Sequence, residues 1–243
     1  MRDLSGEEIL SFEIMGETVT MAYLPRNGFI VREIFLDQCY RPVPFIKGIV
    51  SILDIGANIG ASSVFFKFTY PQARIHAFEP GHGAFDVLAR NVGPYPSIIA
   101  HNFGLWSCDR TAELFVGDHD YATASLADPE GKKRATDRIE LKACGAQLAA
   151  LGVKSVDIAK VDTEGCEIPI LKDLTANYAM LVIYVEFHSE EDRFAIEDLL
   201  RPEYSLFSAD IQHLHRGTLC YVSRRAIAKD SDYHHHRIVI NDD

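Results

Sequence analysis

The sequence predicts a doubly wound α/β fold with a mostly parallel sheet, preceded by a small hairpin and helix cap. Three observations carry that expectation. From Gly48 onward, short apolar runs of buried-strand character alternate with helical stretches, the pattern of βαβ units. The first run ends in a glycine-bearing bend, Asp54-Ile55-Gly56-Ala57-Asn58-Ile59-Gly60, at a strand-to-helix junction. Acids then recur at the ends of later runs, at the edge where open α/β sheets bind ligands.

Residues 1–47 form the expected cap. Residues 8–24 alternate loosely around Gly16-Glu17, which reads as a hairpin, and apolar residues at 30, 31, 34, 35 and 36 predict a short helix over 30–40 that stops before Pro42 and Pro44. The main domain is expected over 48–225. Its first strand is Ile49–Asp54, followed by a helix over Ala61–Phe68, a strand over Arg74–Phe78, a helix over Ala84–Asn91 and a strand over Ser97–His101. Further strands are predicted at Leu114–Val116, Ile158–Val161 and Leu181–Phe187, with helices around Ile168–Leu174 and over Glu190–Leu200. Tyr204–Phe207 and Thr218–Ser223 read as a closing strand pair, and 226–243 as a polar, fraying tail.

Composition narrows the function classes. The chain has 243 residues, 47% of them hydrophobic, enough for one full-sized core. Its formal charge of -11, with only short scattered basic clusters, disfavours nucleic acid as a partner, because neutralising a phosphate backbone needs a basic face. No apolar stretch is long enough for membrane insertion, and Met1–Leu10 lacks the basic-then-apolar order of a secretory leader. Five cysteines without a Cys-x-x-Cys pair read as reduced thiols, so a cytoplasmic location is expected.

The bend at Asp54–Gly60 departs from the dinucleotide fingerprint Gly-x-Gly-x-x-Gly: Asn58 stands at the second glycine position and no third follows. It therefore suits a ligand without a pyrophosphate. Asp54 at the strand end would repel phosphates but welcome an ammonium. Glu79, in Phe78-Glu79-Pro80 at the end of the next strand, sits where a carboxylate grips ribose hydroxyls. Together these describe an adenosine-bearing ligand with an amino-acid end. Asp162, in Lys160-Val161-Asp162-Thr163-Glu164-Gly165-Cys166-Glu167, closes a later strand, whereas Glu167 also fits an acid at a helix start. In Val185-Glu186-Phe187-His188, strand alternation sends Glu186 and His188 to one side, and His188 has the pKa range of a general base.

On these four motifs the chain resembles the FkbM family of S-adenosylmethionine-dependent methyltransferases, from about Gly28 to Ser223; Glu33, Phe35 and Tyr40 also resemble the segment that precedes the sheet in that family. The resemblance implies a seven-stranded class I, Rossmann-like methyltransferase sheet with a reversed final strand. It also implies S-adenosylmethionine as cofactor and O-methylation of a small-molecule, sugar or natural-product acceptor. By position, Asp54, Gly56, Asn58 and Gly60 would surround the methionine end and Glu79 the ribose. Asn102 and Ser125 would fall near the base or methionine end.

The expected chemistry is an in-line displacement in which the acceptor hydroxyl is aligned and deprotonated. His188 or Asp162 takes the proton in this reading, with Glu186 orienting the base. An alternative places a divalent metal on Asp162, Glu186 and His188 to lower the hydroxyl pKa, a route ranked below the metal-free one. The triplet His234-His235-His236 reads as solvated rather than metal-binding. Two rivals are an NAD(P)-dependent oxidoreductase, which needs the glycine pattern absent here, and a catalytically silent S-adenosylmethionine-binding protein, which would not need Asp162, Glu186 and His188.

Overall fold

The computed structural model describes residues 7–23, 27–117, 120–125 and 134–229. The described chain opens as a hairpin, β1 (Glu8–Ile14) antiparallel to β2 (Glu17–Tyr23). Met15 at φ 51° and Gly16 at φ 83° make its two-residue bend, the left-handed pair whose twist suits tight hairpins. Helix α1 (Gly28–Phe35) follows and buries Val31 and Ile34. It ends sooner than the predicted 30–40 because Gln38 turns left-handed at φ 54°, taking the chain off the helical path before Pro42.

The main sheet then builds in the expected order. It contains β3 (Ser51–Ile55), β4 (Arg74–Phe78), β5 (Ile98–His101), β10 (Ile158–Val161), β11 (Val182–Phe187), β12 (Tyr204–His213) and β13 (Arg216–Ser223). These seven strands lie in the order β12-β13-β11-β10-β3-β4-β5. The sheet is mixed rather than simply parallel: its first five strands in sequence pair in parallel, while β13 runs antiparallel to both β11 and β12. Between strands run α2 (Ala61–Thr69), α3 (His82–Val92), α5 (Glu167–Asn177) and α6 (Glu190–Leu200). Helix α3 buries residues 84, 87, 88, 91 and 92, the stripe of a one-sided amphipathic helix. Its Asn91 exchanges bonds of 2.8 and 2.9 Å with the backbone of Ala22 and donates to the Ile59 carbonyl at 2.8 Å, so one buried amide fastens the cap to the bend after β3.

A second sheet was not expected. β6 (Gly104–Trp106), β7 (Arg110–Gly117), β8 (Asp120–Ser125) and β9 (Arg134–Ala143) form four strands in the order β6-β9-β7-β8, where only a strand at 114–116 was predicted. Leu114, Ile139 and Leu141 make its apolar face, with Trp106 packed against them. Helix α4 (Cys144–Ala150) returns the chain to the main sheet, and α7 (Arg224–Lys229) takes up the start of the predicted tail. Residues 230–243, with the histidine triplet, lie outside the described residues.

Alternation along the central strands splits the core across the sheet. Ile52, Ile158, Val182, Tyr184, Cys220 and Val222 face α1 to α3 and the cap, while Leu53, Ala159, Ile183, Val185, Leu219 and Tyr221 face α4 to α6. Towards the carboxyl ends the first face turns polar. Register pairs Lys160 with Asp54, and Glu186 with Thr218, so Asp54, Lys160, Glu186 and Thr218 continue the face begun by Ile52, Ile158 and Tyr184.

Candidate active site

That polar row borders a cleft at the point where strand order reverses. The chain proceeds outward from β3 to β4 and β5, then returns to lay β10 and β11 on the other side, leaving a crevice beyond the β3 and β10 ends. The cleft holds about 1140 Å³ of empty space, part of it open to solvent.

The bend after β3 forms the floor. Gly56 has φ 78° and Gly60 φ 87°, conformations that a side chain would strain. A Cβ on Gly56 would sit 1.7 Å from the Asp162 carbonyl oxygen, so the bend presses directly on the β10 exit. Asn58, at φ 48°, gives its backbone N–H to Glu79 Oε2 at 2.9 Å, and the Gly81 N–H reaches Glu79 Oε1 at 2.8 Å. Burial pushes the Glu79 carboxyl up to about 7, against the pull of those two amides. Glu79 thus stands at the cleft wall at the end of β4.

Asp54 lies elsewhere than its expected place beside a ligand ammonium. It is fully buried under the floor and accepts from Ser62 Oγ at 2.6 Å and Ser63 Oγ at 2.5 Å, with Lys160 Nζ 3.4 Å from its other oxygen. Asn102 is likewise a brace. Its amide donates to the Glu79 and Pro80 carbonyls at 3.0 and 3.2 Å and so fixes the loop carrying Glu79. Ser125 ends β8, opposite Phe115, and its side chain lies outside the described residues.

The opposite wall alternates charge. Lys160, 2% exposed, donates to the Gly56 carbonyl at 2.5 Å and stands 3.4 Å from both Asp54 Oδ1 and Asp162 Oδ2. Burial works to raise the Asp162 carboxyl, but the Lys160 ammonium, a hydrogen bond with Glu186 and His188 together hold it well below the usual range. The Tyr40 hydroxyl also donates to Asp162, at 3.5 Å. Glu186 is pushed the other way by burial and by Asp162, while Arg216 Nε, 2.6 Å from its Oε1, opposes the rise. Glu33 of α1 enters from the cap, held by the Gln212 amide of β12. Leu114, Ile139, Leu141 and Trp106 give the cleft an apolar side.

His188 requires a correction. Strand β11 ends at Phe187, so alternation no longer governs the next residue, and His188 does not share the cleft wall with Glu186. Its Nδ1 lies 3.6 Å from Glu164 and its Nε2 3.5 Å from Glu167. Burial alone would lower its pKa, but the adjoining Glu167 carboxylate and the charges of Glu164 and Glu186 raise it to about 9. An imidazolium at neutral pH is no proton acceptor. The expected metal set shifts too: donor atoms of Asp162, Glu164 and His188 come within 4.8 Å of one another, whereas Glu186 turns to Arg216. Glu167, expected at a surface helix start, does open α5, but it is buried and accepts from the Thr163 and Gly165 backbone amides of the preceding loop.

Comparison with known proteins decides the family. The model of the FkbM methyltransferase domain matches residues 54–221, the stretch from the first acid of the bend to the reversed strand. This chain is an FkbM-family methyltransferase. It is 32% identical over 185 residues to methyltransferase sdnD of Sordaria araneosa, covering 63% of this chain and 71% of that protein. Hexuronic acid methyltransferase AglP of Haloferax volcanii is 29% identical over 71% of this chain and 69% of its own length. Among solved structures, an FkbM methyltransferase from Methylobacillus flagellatus superposes with a TM-score of 0.53 at 15% identity, covering 79% of this chain. The present chain spans about half of that protein, 47%. A fibrillarin from Methanococcus jannaschii shares the fold at a TM-score of 0.54 and 13% identity, over 89% of this chain and 83% of that one. Membership in the FkbM family removes the oxidoreductase alternative.

The sequence reading missed Arg216 and undervalued Lys160 and Glu33. Lys160 carried a signal, a lone cation inside the apolar run Ile158–Val161, where only a paired charge can be buried. Arg216 had none, because it reaches the cleft from a hairpin that topology alone brings there.

Proposed function

We propose that this FkbM-family chain transfers a methyl group from S-adenosylmethionine to a hydroxyl of a small molecule, sugar or natural product. The observation that carries the reading is the cleft at the strand-order reversal, where the Gly56 bend, Glu79 and Asp162 converge. The tight bend from Gly56 to Asn58 brings backbone to the cleft surface, and Glu79 at the wall offers a carboxylate to ribose hydroxyls. The apolar side at Trp106 and Leu141 suits a flat base, and the carboxylates near Asp162 suit a cation. When bound, the cofactor supplies an electrophilic methyl on a sulfonium.

The protein's own part is alignment and proton removal. Asp162 is the acceptor of the hydroxyl's hydrogen in this reading, being ionised, cleft-lining and fixed by Lys160 and Tyr40. Glu186, clamped by Arg216, holds the neighbouring position and restrains the Asp162 rotamer. Relatives named as a 31-O-demethyl-FK506 methyltransferase and a hexuronic acid methyltransferase support a hydroxylated organic acceptor. The acid-rich cleft supports a non-nucleic-acid acceptor, and no described helix is long and apolar enough to cross a membrane. The test is calorimetry with S-adenosylmethionine, then transfer of a tritiated methyl to a panel of sugars and polyketides. No binding heat, together with an unaltered Glu79→Ala variant, would overturn the reading.

A further inference from the structure

Five carboxylates line the cleft, Glu33, Glu79, Asp162, Glu164 and Glu186, against two cations, Lys160 and Arg216. Both cations are already engaged. Lys160 sits between Asp54 and Asp162, and Arg216 is bonded to Glu186. Glu79 is held by two backbone amides. That leaves Glu33, whose hydrogen-bond partner is the neutral Gln212 amide, and Glu164, which shares the single His188 with Glu167.

The proposed reaction changes the ligand's charge by one unit. The S–CH₃ bond breaks with its electron pair left on sulfur, the carbon bonds to the acceptor oxygen, and that oxygen's proton passes to Asp162. At neutral pH the methylated cofactor is a monocation, bearing sulfonium, ammonium and carboxylate, while its thioether product is neutral overall. The two differ in little else. Resting on the cofactor reading above, we propose that Glu33 and Glu164 are specificity-determining residues that make the cleft hold S-adenosylmethionine more tightly than S-adenosylhomocysteine.

The surplus lies close enough to act. Asp162 abuts the Gly56 bend, Glu164 follows it by two residues, and Glu33 is near enough to Asp162 and Arg216 for each to perturb it. In a cleft partly open to solvent such charges are partly screened, and one carboxylate about 10 Å from a unit charge, at an effective dielectric of about 50, changes affinity roughly threefold. The consequence is product release: methyl transfer itself discharges the group that the cleft holds, so the spent cofactor leaves readily.

The test is calorimetric titration at about pH 8, above the raised Glu164 carboxyl, of EDTA-treated protein with S-adenosylmethionine, S-adenosylhomocysteine and sinefungin, whose amine places a cation where the sulfonium stands. Both cationic ligands are expected to bind at least about tenfold tighter than the thioether. Glu33→Gln and Glu164→Gln should each shrink that ratio about threefold, and the double variant should bring it near unity. Equal or tighter binding of the thioether by the wild type, or a ratio that survives in the double variant, overturns the charge selection. Glu33→Gln alone, on a half-buried helix position, keeps the test decisive where the double variant fails to fold. Binding of none of the three ligands would overturn the cofactor reading itself.

Discussion

The carbonyl oxygen of Asp162 occupies the place a Cβ on Gly56 would need, 1.7 Å from it, so the ends of β3 and β10 meet without room for a side chain. Gly56 also has φ 78°, outside the range most residues adopt. Gly56→Ala must therefore displace β10 or flatten the bend. The expected outcome is a thermal midpoint lower by at least about 2 °C, which corresponds to ~1 kcal/mol in a chain of this size. S-adenosylmethionine binding should be lost in the same variant, and a variant that binds with wild-type affinity would remove the bend from the site.

Lys160 is a buried cation with two carboxylates at 3.4 Å. Deleting one partner of a buried ion pair leaves the other charge uncompensated, at a cost of about 3–5 kcal/mol. Lys160→Met is expected to show that loss in urea unfolding. Asp54→Asn should cost less, because Ser62 and Ser63 still find an oxygen on the amide. Equal losses in the two variants would argue against Lys160 as the link between floor and wall.

The proton assignment separates Asp162 from His188. Asp162 lines the cleft in ionised form, whereas His188 sits between Glu164 and Glu167 with its pKa raised to about 9. Removing a general base costs about 10²–10⁴ in rate, so Asp162→Asn should lower methyl transfer by at least about a hundredfold. His188→Asn should stay within about tenfold of wild type, a loss no larger than a misplaced neighbour explains. The converse pattern would restore the histidine as base.

These outcomes bear on how much was legible beforehand. β10 and β4 were placed to the residue because runs such as Ile158–Val161 are buried on both faces and bounded by polar turns. The cleft's floor was legible for a related reason, since Gly56 and Gly60 mark backbone conformations that few other residues adopt. The second sheet escaped because β7 and β9 bury only alternate residues, as Leu114 beside exposed Glu113 shows, and their short runs resemble loops. Arg216 and Glu33 escaped because they approach from 30 residues beyond Glu186 and from the cap, distances that only the folded topology closes. His188 was misplaced by extending a strand's alternation one residue past its end.

The site's electrostatics also set an unusual pH dependence of stability. Burial raises Glu79 and Glu164 from 4.5 to about 7. For His188, burial lowers the pKa, but the neighbouring Glu167 and Glu164 carboxylates outweigh it and lift it from 6.5 to about 9. A group whose folded pKa exceeds its unfolded one binds its proton more tightly in the folded state, so its contribution is complete below the unfolded value and disappears as pH rises through the folded one. The carboxyls lose theirs between pH 4.5 and about 7, and the imidazole between 6.5 and about 9. Asp162 works in the opposite sense but only in acid, since its pKa is depressed below 3.8. The ligand-free protein should therefore melt at progressively lower temperature as pH is raised from about 5 to about 9. His188→Asn should flatten the upper half of that slope and Glu79→Gln the lower half. A midpoint that climbs across this range in differential scanning calorimetry would mean that the carboxylates of the cleft are fully ionised and well paired in the ligand-free protein.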